Sequence, residues 1–328
     1  MEEQKYLFDV LKTKIPGQYR LTDMVEEVLN VSADSAYRRI RGDKELSLSE
    51  AIALCKRFNL SMDAIFSCKS EQGALFRYAP VNFSGEGSYV AYLKRILETL
   101  TFQSAQEKEV YYTAQDIPFN YFFDFTELMF FKLYAYNDTV SRSSISYSEF
   151  CNNLNKDAIV PIYKQLANAY QSIPTKEIWT NQTIDTILRL LEYYYEIGAF
   201  DKKETVLFLL NQLAELLDTV KKCANEGCKG GERKTPFSLY LCSVDFENNF
   251  MFIKKEDKMS CTIRLYTINS IVTENEALCS ETAKWIDDLI AKSILISGTS
   301  VKDRIRFFQA STNKIKGLIN KIDLSDSP

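Results

Sequence analysis

Between Val31 and Gly42 the chain reads VSADSAYRRIRG, which places the carboxylate of Asp34, the phenol of Tyr37 and the guanidinium groups of Arg38, Arg39 and Arg41 within a few residues of one another. A guanidinium can donate two parallel hydrogen bonds to O6 and N7 of a guanine, and a phenol can contact a phosphate or a thymine methyl. Asp34, one helical turn before Arg38, can either hold that guanidinium in one rotamer or accept from a cytosine amino group. This is chemistry of recognition, with no bond made or broken. The rest of the sequence points the same way. The 328 residues include no histidine, which excludes Ser-His-Asp and Cys-His catalysis, histidine metal sites and a histidine pH switch. Neither phosphate-cradling pattern, G-x-x-x-x-G-K-[ST] or G-x-G-x-x-G after a strand, occurs. The expectation is a protein that is not an enzyme, with no catalytic residues, cofactor or metal.

Several local signals position this cluster. Glu2 to Ile15 has Tyr6, Leu7, Val10, Leu11 and Ile15 at helical spacing, and Pro16-Gly17 stops it. Thr22 is the expected N-cap of a second helix that runs to Leu29, with Val25, Val28 and Leu29 on one face. Asn30 tolerates the left-handed conformation that a helix stop needs. Ser32 then caps a third helix, closed by Gly42. Ser47-Leu48-Ser49-Glu50 fits a capping box for a fourth, which is expected to bury Ile52, Cys55 and Phe58, and Ser61 caps a last short helix with Ile65 and Phe66. At about 100° per residue, Ala36 and Ile40 face the core of the third helix, with Val31 beside them. Arg38 then points away, Asp34 and Arg41 lie near it, and Tyr37 and Arg39 take the two shoulders, with Arg39 given a flanking or structural part.

The stretch LTDMVEEVLNVSADSAYRRIRGDKELSLSEAIALCKRFNLSMDAIF resembles the lambda-repressor-like (Cro-type) helix-turn-helix domain, and within it the BetR-type domain of bacterial regulators. The matching pieces are the LTDMVEEVL helix, the NVS turn, the AYRRIRG helix and the LSLSEAIALCKRFNLSMD tail, and the resemblance covers residues 5–68. Asn30 stands where the turn usually has glycine. Asp23 stands where a glutamine often contacts phosphate, so that contact passes to Thr22 or Lys44. The resemblance implies a bacterial transcription regulator that binds double-stranded DNA as a homodimer. The DNA-binding set expected from the residues and the resemblance together is Thr22, Ser32, Asp34, Tyr37, Arg38, Arg41 and Lys44. Residues 1–68 hold ten Lys and Arg against eleven Asp and Glu, so any grip on DNA must come from a local patch. A second reading therefore stays open, in which the chain is a protein-interaction or sensory module and its N-terminal domain a docking surface.

The expected organisation is a helix-turn-helix domain over 1–68, a linker over 69–87 that is clearest in QGALFRYAPVNFSGEG, and an oligomerisation or effector-sensing domain over 88–328. The first part should be all-α. The second should be α+β, mostly helical with a small antiparallel sheet. Helices are expected over 89–101, 148–172 (broken or kinked at Pro161), 181–197, 203–220, 275–293 and 300–322. Strands are expected at 109–114 and, as a meander, at 237–244, 249–254 and 259–272. Eleven aromatic residues fall between Tyr111 and Tyr136. They read as a core helix, with a pocket for a small apolar ligand or a dimer interface as the sharper alternative. Cys223 and Cys228 lack zinc-site spacing to other cysteines and read as free thiols in a loop, followed by a solvated basic segment from Lys229 to Lys234. The polar Met-Glu-Glu-Gln-Lys opening and the absence of a long apolar run suggest a cytoplasmic protein with no membrane contact.

Overall fold

The computed structural model describes residues 2–15, 20–58, 60–62, 73–78, 80–81, 88–101, 108–141, 145–255 and 258–324. The fold is α+β and mostly helical, and the chain divides into two units, Met1–Leu75 and Phe76–Pro328. The short helix expected around Ile65 and Phe66 and most of the expected linker lie outside the described residues.

Unit 1 contains α1 (Glu2–Lys14), α2 (Leu21–Leu29), α3 (Ala33–Arg41) and α4 (Leu48–Arg57). Leu7, Phe8 and Leu11 of α1 meet Val25, Ala36, Ala51, Leu54 and Cys55 in a small core. Tyr6 and Ile52, both expected in that core, are instead exposed: the buried stripe of α1 runs through Phe8, and that of α4 through Ala51, Leu54 and Cys55. Asn30 adopts the left-handed conformation (φ 49°, ψ 53°) that ends α2 and turns the chain into α3. Thr22 is not the N-cap of α2. Arg20 holds that position without a side-chain hydrogen bond, and Thr22 lies inside the first turn.

Unit 2 is built on a sheet that, among the described residues, has nine strands and is neither small nor purely antiparallel. The strands are β1 (Arg77–Tyr78), β2 (Lys108–Ala114), β3 (Thr175–Trp179), β4 (Cys228–Lys229), β5 (Thr235–Cys242), β6 (Phe250–Lys255), β7 (Lys258–Leu265), β8 (Asn269–Thr273) and β9 (Ser293–Leu295). Their order is β1-β8-β7-β6-β2-β3-β5-β4, with β9 also on β5. β3 runs parallel to both neighbours, β2 and β5, and the remaining pairs are antiparallel. The expected strand over 259–272 is a hairpin, β7 and β8, turned at Tyr266 with φ 55°. The expected meander holds for β6, β7 and β8, but β5 leaves it to pair with β3. β3 itself, TKEIW, is a strand that periodicity does not reveal, because Lys176 and Glu177 make it look like surface.

The helices of unit 2 are α5 (Ser88–Thr101), α6 (Thr126–Ser141), α7 (Tyr147–Asn152), α8 (Lys156–Gln171), α9 (Asp185–Glu196), α10 (Lys203–Glu226), α11 (Glu276–Ala291) and α12 (Val301–Leu324). One sheet face carries Ile178, Phe252, Cys261 and Cys242 and packs on Cys279, Ile286 and Leu289 of α11. The other carries Val110, Trp179, Phe237 and Leu239 and packs on the remaining helical layer, including Leu93, Tyr163, Leu210 and Phe307. The aromatic run is interrupted: Phe119–Phe123 forms a 3-10 turn before α6. Phe122, Phe123, Phe130, Phe131, Tyr134 and Tyr136 are all buried there, so these rings form core. The break expected at Pro161 falls earlier, at 153–155, where Asn155 caps a fresh helix that carries Pro161 inside it.

Packing corrects three further expectations. Arg77–Tyr78, placed in the linker, pairs with Val272–Ile271, and Val81 is buried while its N–H donates to Asn269 Oδ1 at 2.8 Å. Lys229, read as solvated, is 5% exposed. α10 runs on to Glu226, so Cys223 is helical, and Gly227 ends the helix with φ 66°. The following turn needs glycine: Gly230 has φ 82°, and a Cβ there would lie 2.7 Å from the Gln171 carbonyl oxygen. No helix of the described residues is long and apolar enough to cross a membrane.

Candidate nucleic-acid interface

The geometry of α3 begins with its caps. Ser32 Oγ accepts from the Ser35 N–H at 3.4 Å, and Gly42 ends the helix with φ 86° while its N–H donates to Arg39 O at 3.1 Å. The 42–46 loop is held from α1: Gln4 Nε2 donates to Arg39 O at 2.7 Å and Lys44 O at 2.8 Å, and Gln4 Oε1 accepts from the Leu46 N–H at 2.9 Å. Nothing in the sequence pattern singles out Gln4. Its part is visible only when α1 lies beside that loop.

The three arginines separate into two roles. Arg39 is 4% exposed and points inward. Its Nη2 donates to Glu50 Oε1 at 2.6 Å, and its Nη1 donates to Ser35 O at 3.1 Å and Ser35 Oγ at 2.5 Å. Glu50 also completes the capping box of α4 by accepting from the Ser47 N–H at 2.9 Å. Arg39 is thus the bolt between α3 and α4, and its hydrogen bond holds the Glu50 carboxyl below its ordinary value. Arg38 and Arg41 are exposed, as are Ser32, Asp34, Tyr37 and Lys44, whereas Thr22 is half-buried. The Arg41 guanidinium lies 5.7 Å from the centre of the Tyr37 ring, and its Nε is 3.4 Å from Asp43 Oδ2. Arg38 has no ion pair among the described residues, so Asp34 does not clamp it. Ser32 spends its hydroxyl on the cap. The outward row of Asp34, Tyr37, Arg38 and Arg41 is therefore a single face of a capped helix, with Lys44 following on the loop.

Glu50→Gln removes the charge that satisfies Arg39 while keeping a side chain of similar shape. Hydrogen exchange of the α3 amides in the full chain should show a loss of about 1–3 kcal/mol in opening free energy, the cost of an imperfectly paired polar group. Because the folded carboxyl titrates below 4.5, the native pair contributes stability above that value and loses it as pH falls through the folded pKa. The variant should lack this acid-dependent loss. Unchanged exchange in Glu50→Gln would assign α3–α4 docking to the apolar contacts alone.

No family model, curated protein or solved structure matches the chain.

Proposed function

We propose that this protein is a sequence-specific, dimeric DNA-binding transcription regulator in which α3 reads the major groove and unit 2 is the regulatory and oligomerising part. The observation that carries the reading is the division of labour among adjacent arginines: Arg39 is turned inward onto Glu50, while Arg38 and Arg41 are exposed on the outer face with Tyr37, Arg41 in a surface ion pair with Asp43. A helix that merely needed a solvated cationic face has no use for this arrangement. Arg38 is the base-reading group and Arg41 its neighbour; Tyr37 and Lys44 serve the phosphates. Dimerisation follows from energetics. Two or three base contacts at roughly 1–3 kcal/mol each do not outcompete genomic DNA, whereas two linked half-sites gain from effective concentration.

Selection of duplexes from a randomised pool by the full-length protein tests this reading. The expected product is a two-fold-related motif with half-sites about one helical turn apart, bound with a steep salt dependence. Failure to enrich any motif, with no salt-sensitive binding at concentrations where the protein is dimeric, would favour the docking-surface reading instead.

A further inference from the structure

Unit 2 contains a cleft of about 350 Å³ between α5 and the sheet face opposite α11. That volume sits at the small end of ligand pockets, roughly 300–1,000 Å³. The strand register orders it. On β7 the residues facing the cleft are Ser260, Thr262 and Arg264, paired across to Ile253 and Met251 of β6 for the first two and to Ser270 of β8 for the third. Ile96 and Leu100 of α5 cover the Ser260 end, and Tyr92, whose hydroxyl donates to Ile268 O at 3.2 Å, covers the Arg264 end. The Ser260 end of the cleft thus has the apolar side chains Ile96, Leu100 and Ile253, bordered by the exposed Arg77–Glu274 pair, and the other end carries the Arg264 guanidinium.

The guanidinium is held but not satisfied. Arg264 has a side chain nine-tenths buried; its Nη2 donates to Tyr112 Oη at 2.9 Å, and its plane lies over Phe119, 5.2 Å from the ring centre. Among the described residues Nη1 is buried without a hydrogen-bond partner and stands 3.8 Å from Asp116 Oδ2, and Asp116 Oδ1 is likewise buried without one. That same carboxylate oxygen is engaged by Lys132. Two buried cations share one buried anion, which leaves an excess positive charge beside an apolar cleft. Arg95, also lining the cleft, is exposed and has no ion pair among the described residues, whereas Arg77 is matched by Glu274 at 2.6 Å. A buried unmatched charge is costly, and a ligand anion removes that cost.

We propose that this cleft binds an amphipathic monocarboxylate, with its carboxylate on Arg264 and its apolar body along Ile96, Leu100, Met251 and Ile253. A small rotation of the guanidinium brings Nη1 onto the ligand with no hydrogen bond to Asp116 to break. Only one of the excess charges, that at Arg264, is buried, which favours a monoanion over a phosphate dianion. The assignment concerns unit 2 alone and goes beyond the DNA-binding reading, so it stands or falls separately from it.

Titration calorimetry of the full-length protein with decanoate, 1-naphthylacetate and decanol tests it. At least one carboxylate should bind with one-to-one stoichiometry, and decanol roughly tenfold or more weaker than decanoate, a difference of about 1.4 kcal/mol. Thr262→Phe, which adds bulk in the middle of the cleft, should abolish binding. Arg264→Met should reduce carboxylate affinity at least roughly tenfold and leave decanol unchanged; should that variant not fold, the decanol comparison and Thr262→Phe still decide. Equal affinity for decanoate and decanol, full binding by folded Thr262→Phe, or no carboxylate binding at about 1 mM, the weak end of specific affinity, would each overturn the proposal.

Discussion

Arg38→Ala should weaken binding to the selected duplex by roughly ten- to a hundredfold, the worth of one bidentate base contact, while leaving unit 1 folded. The side chain is exposed and has no ion pair among the described residues. Its loss therefore removes a contact to the ligand and no ion pair among the described residues. The loss should be specific: affinity for random duplex falls far less, and base preference relaxes at one position of each half-site. Arg41→Ala should cost less, because Arg41 must first leave Asp43 at 3.4 Å and its stack on Tyr37. Arg233→Ala, in the other unit, serves as the control and should change neither affinity nor base preference. Binding isotherms on selected and random duplexes at two salt concentrations separate these outcomes. An equal loss on both duplexes would remove Arg38 from base reading and leave it as a phosphate contact. Arg39→Ala should behave differently again, loosening the α3–α4 junction and so reducing binding only as far as it unfolds the reading helix.

The second large effect lies in the core of unit 2. Glu177 on β3 is fully buried and accepts from Tyr121 at 2.9 Å, Tyr170 at 2.5 Å and Trp179 Nε1 at 2.8 Å. Lys229 lies with its ammonium 3.5 Å from the centre of the Tyr170 ring and donates to Thr175 Oγ1. Burial pushes Lys229 down to about 7, with the Glu177 carboxylate opposing, and burial pushes Glu177 up, with Lys229 opposing. The signs differ. Between the folded Lys229 value and its ordinary 10.5, the unfolded chain holds a proton that the folded one lacks, so stability rises with pH, by at most about 1.4 kcal/mol per pH unit. For Glu177 the folded state holds the extra proton, so stability falls as pH rises from the ordinary 4.5 through its folded value. The cluster's contribution thus falls along the Glu177 limb and rises along the Lys229 limb. Urea unfolding followed by tryptophan fluorescence between about pH 7 and 8 reads the Lys229 limb. That window ends before the thiols of Cys151, Cys223, Cys261 and Cys279, pushed up from 9 by burial, and buried tyrosines such as Tyr170 lower stability as the unfolded chain ionises. Lys229→Met should flatten this limb. A variant that keeps the slope would place the titrating group elsewhere.

Helix α3 is legible in the sequence because its signals are local. Ser32, Gly42 and the Ser47–Glu50 box mark helix ends through hydrogen bonds that span three or four residues, and Ala36 alone is enough to orient α3 and send Arg38 outward. Thr22 was misplaced as a cap because a capping side chain is only one way to start a helix. The chain enters α2 through Arg20 without one.

In unit 2 the same reading found helices and missed the centre of the sheet. β3 is five residues long, and its glutamate is buried because Tyr121, Tyr170 and Trp179 supply donors from residues up to 56 positions away. Lys229 looked solvated in a Gly-rich basic segment for the same reason. Its partners arrive from β3 and α8. The alternation in CTIRLYTINSIV fits a sheet with one covered face. α11 covers the Cys261 face, but α5 stands over the other, which turns Arg264 from a surface residue into the floor of a cleft.

The sequence by itself determined what depends on neighbours along the chain: the caps, the left-handed stop at Asn30, the outward arginines and the absence of histidine chemistry. Only the tertiary structure decided which charged side chains are buried, that Arg39 is a bolt, that Glu177 and Lys229 lie in the core, and that Arg264 meets a cavity. The reason is physical. A hydrogen bond within a helical turn is written in residues three or four apart. Whether a charge is desolvated depends on what the rest of the chain packs over it.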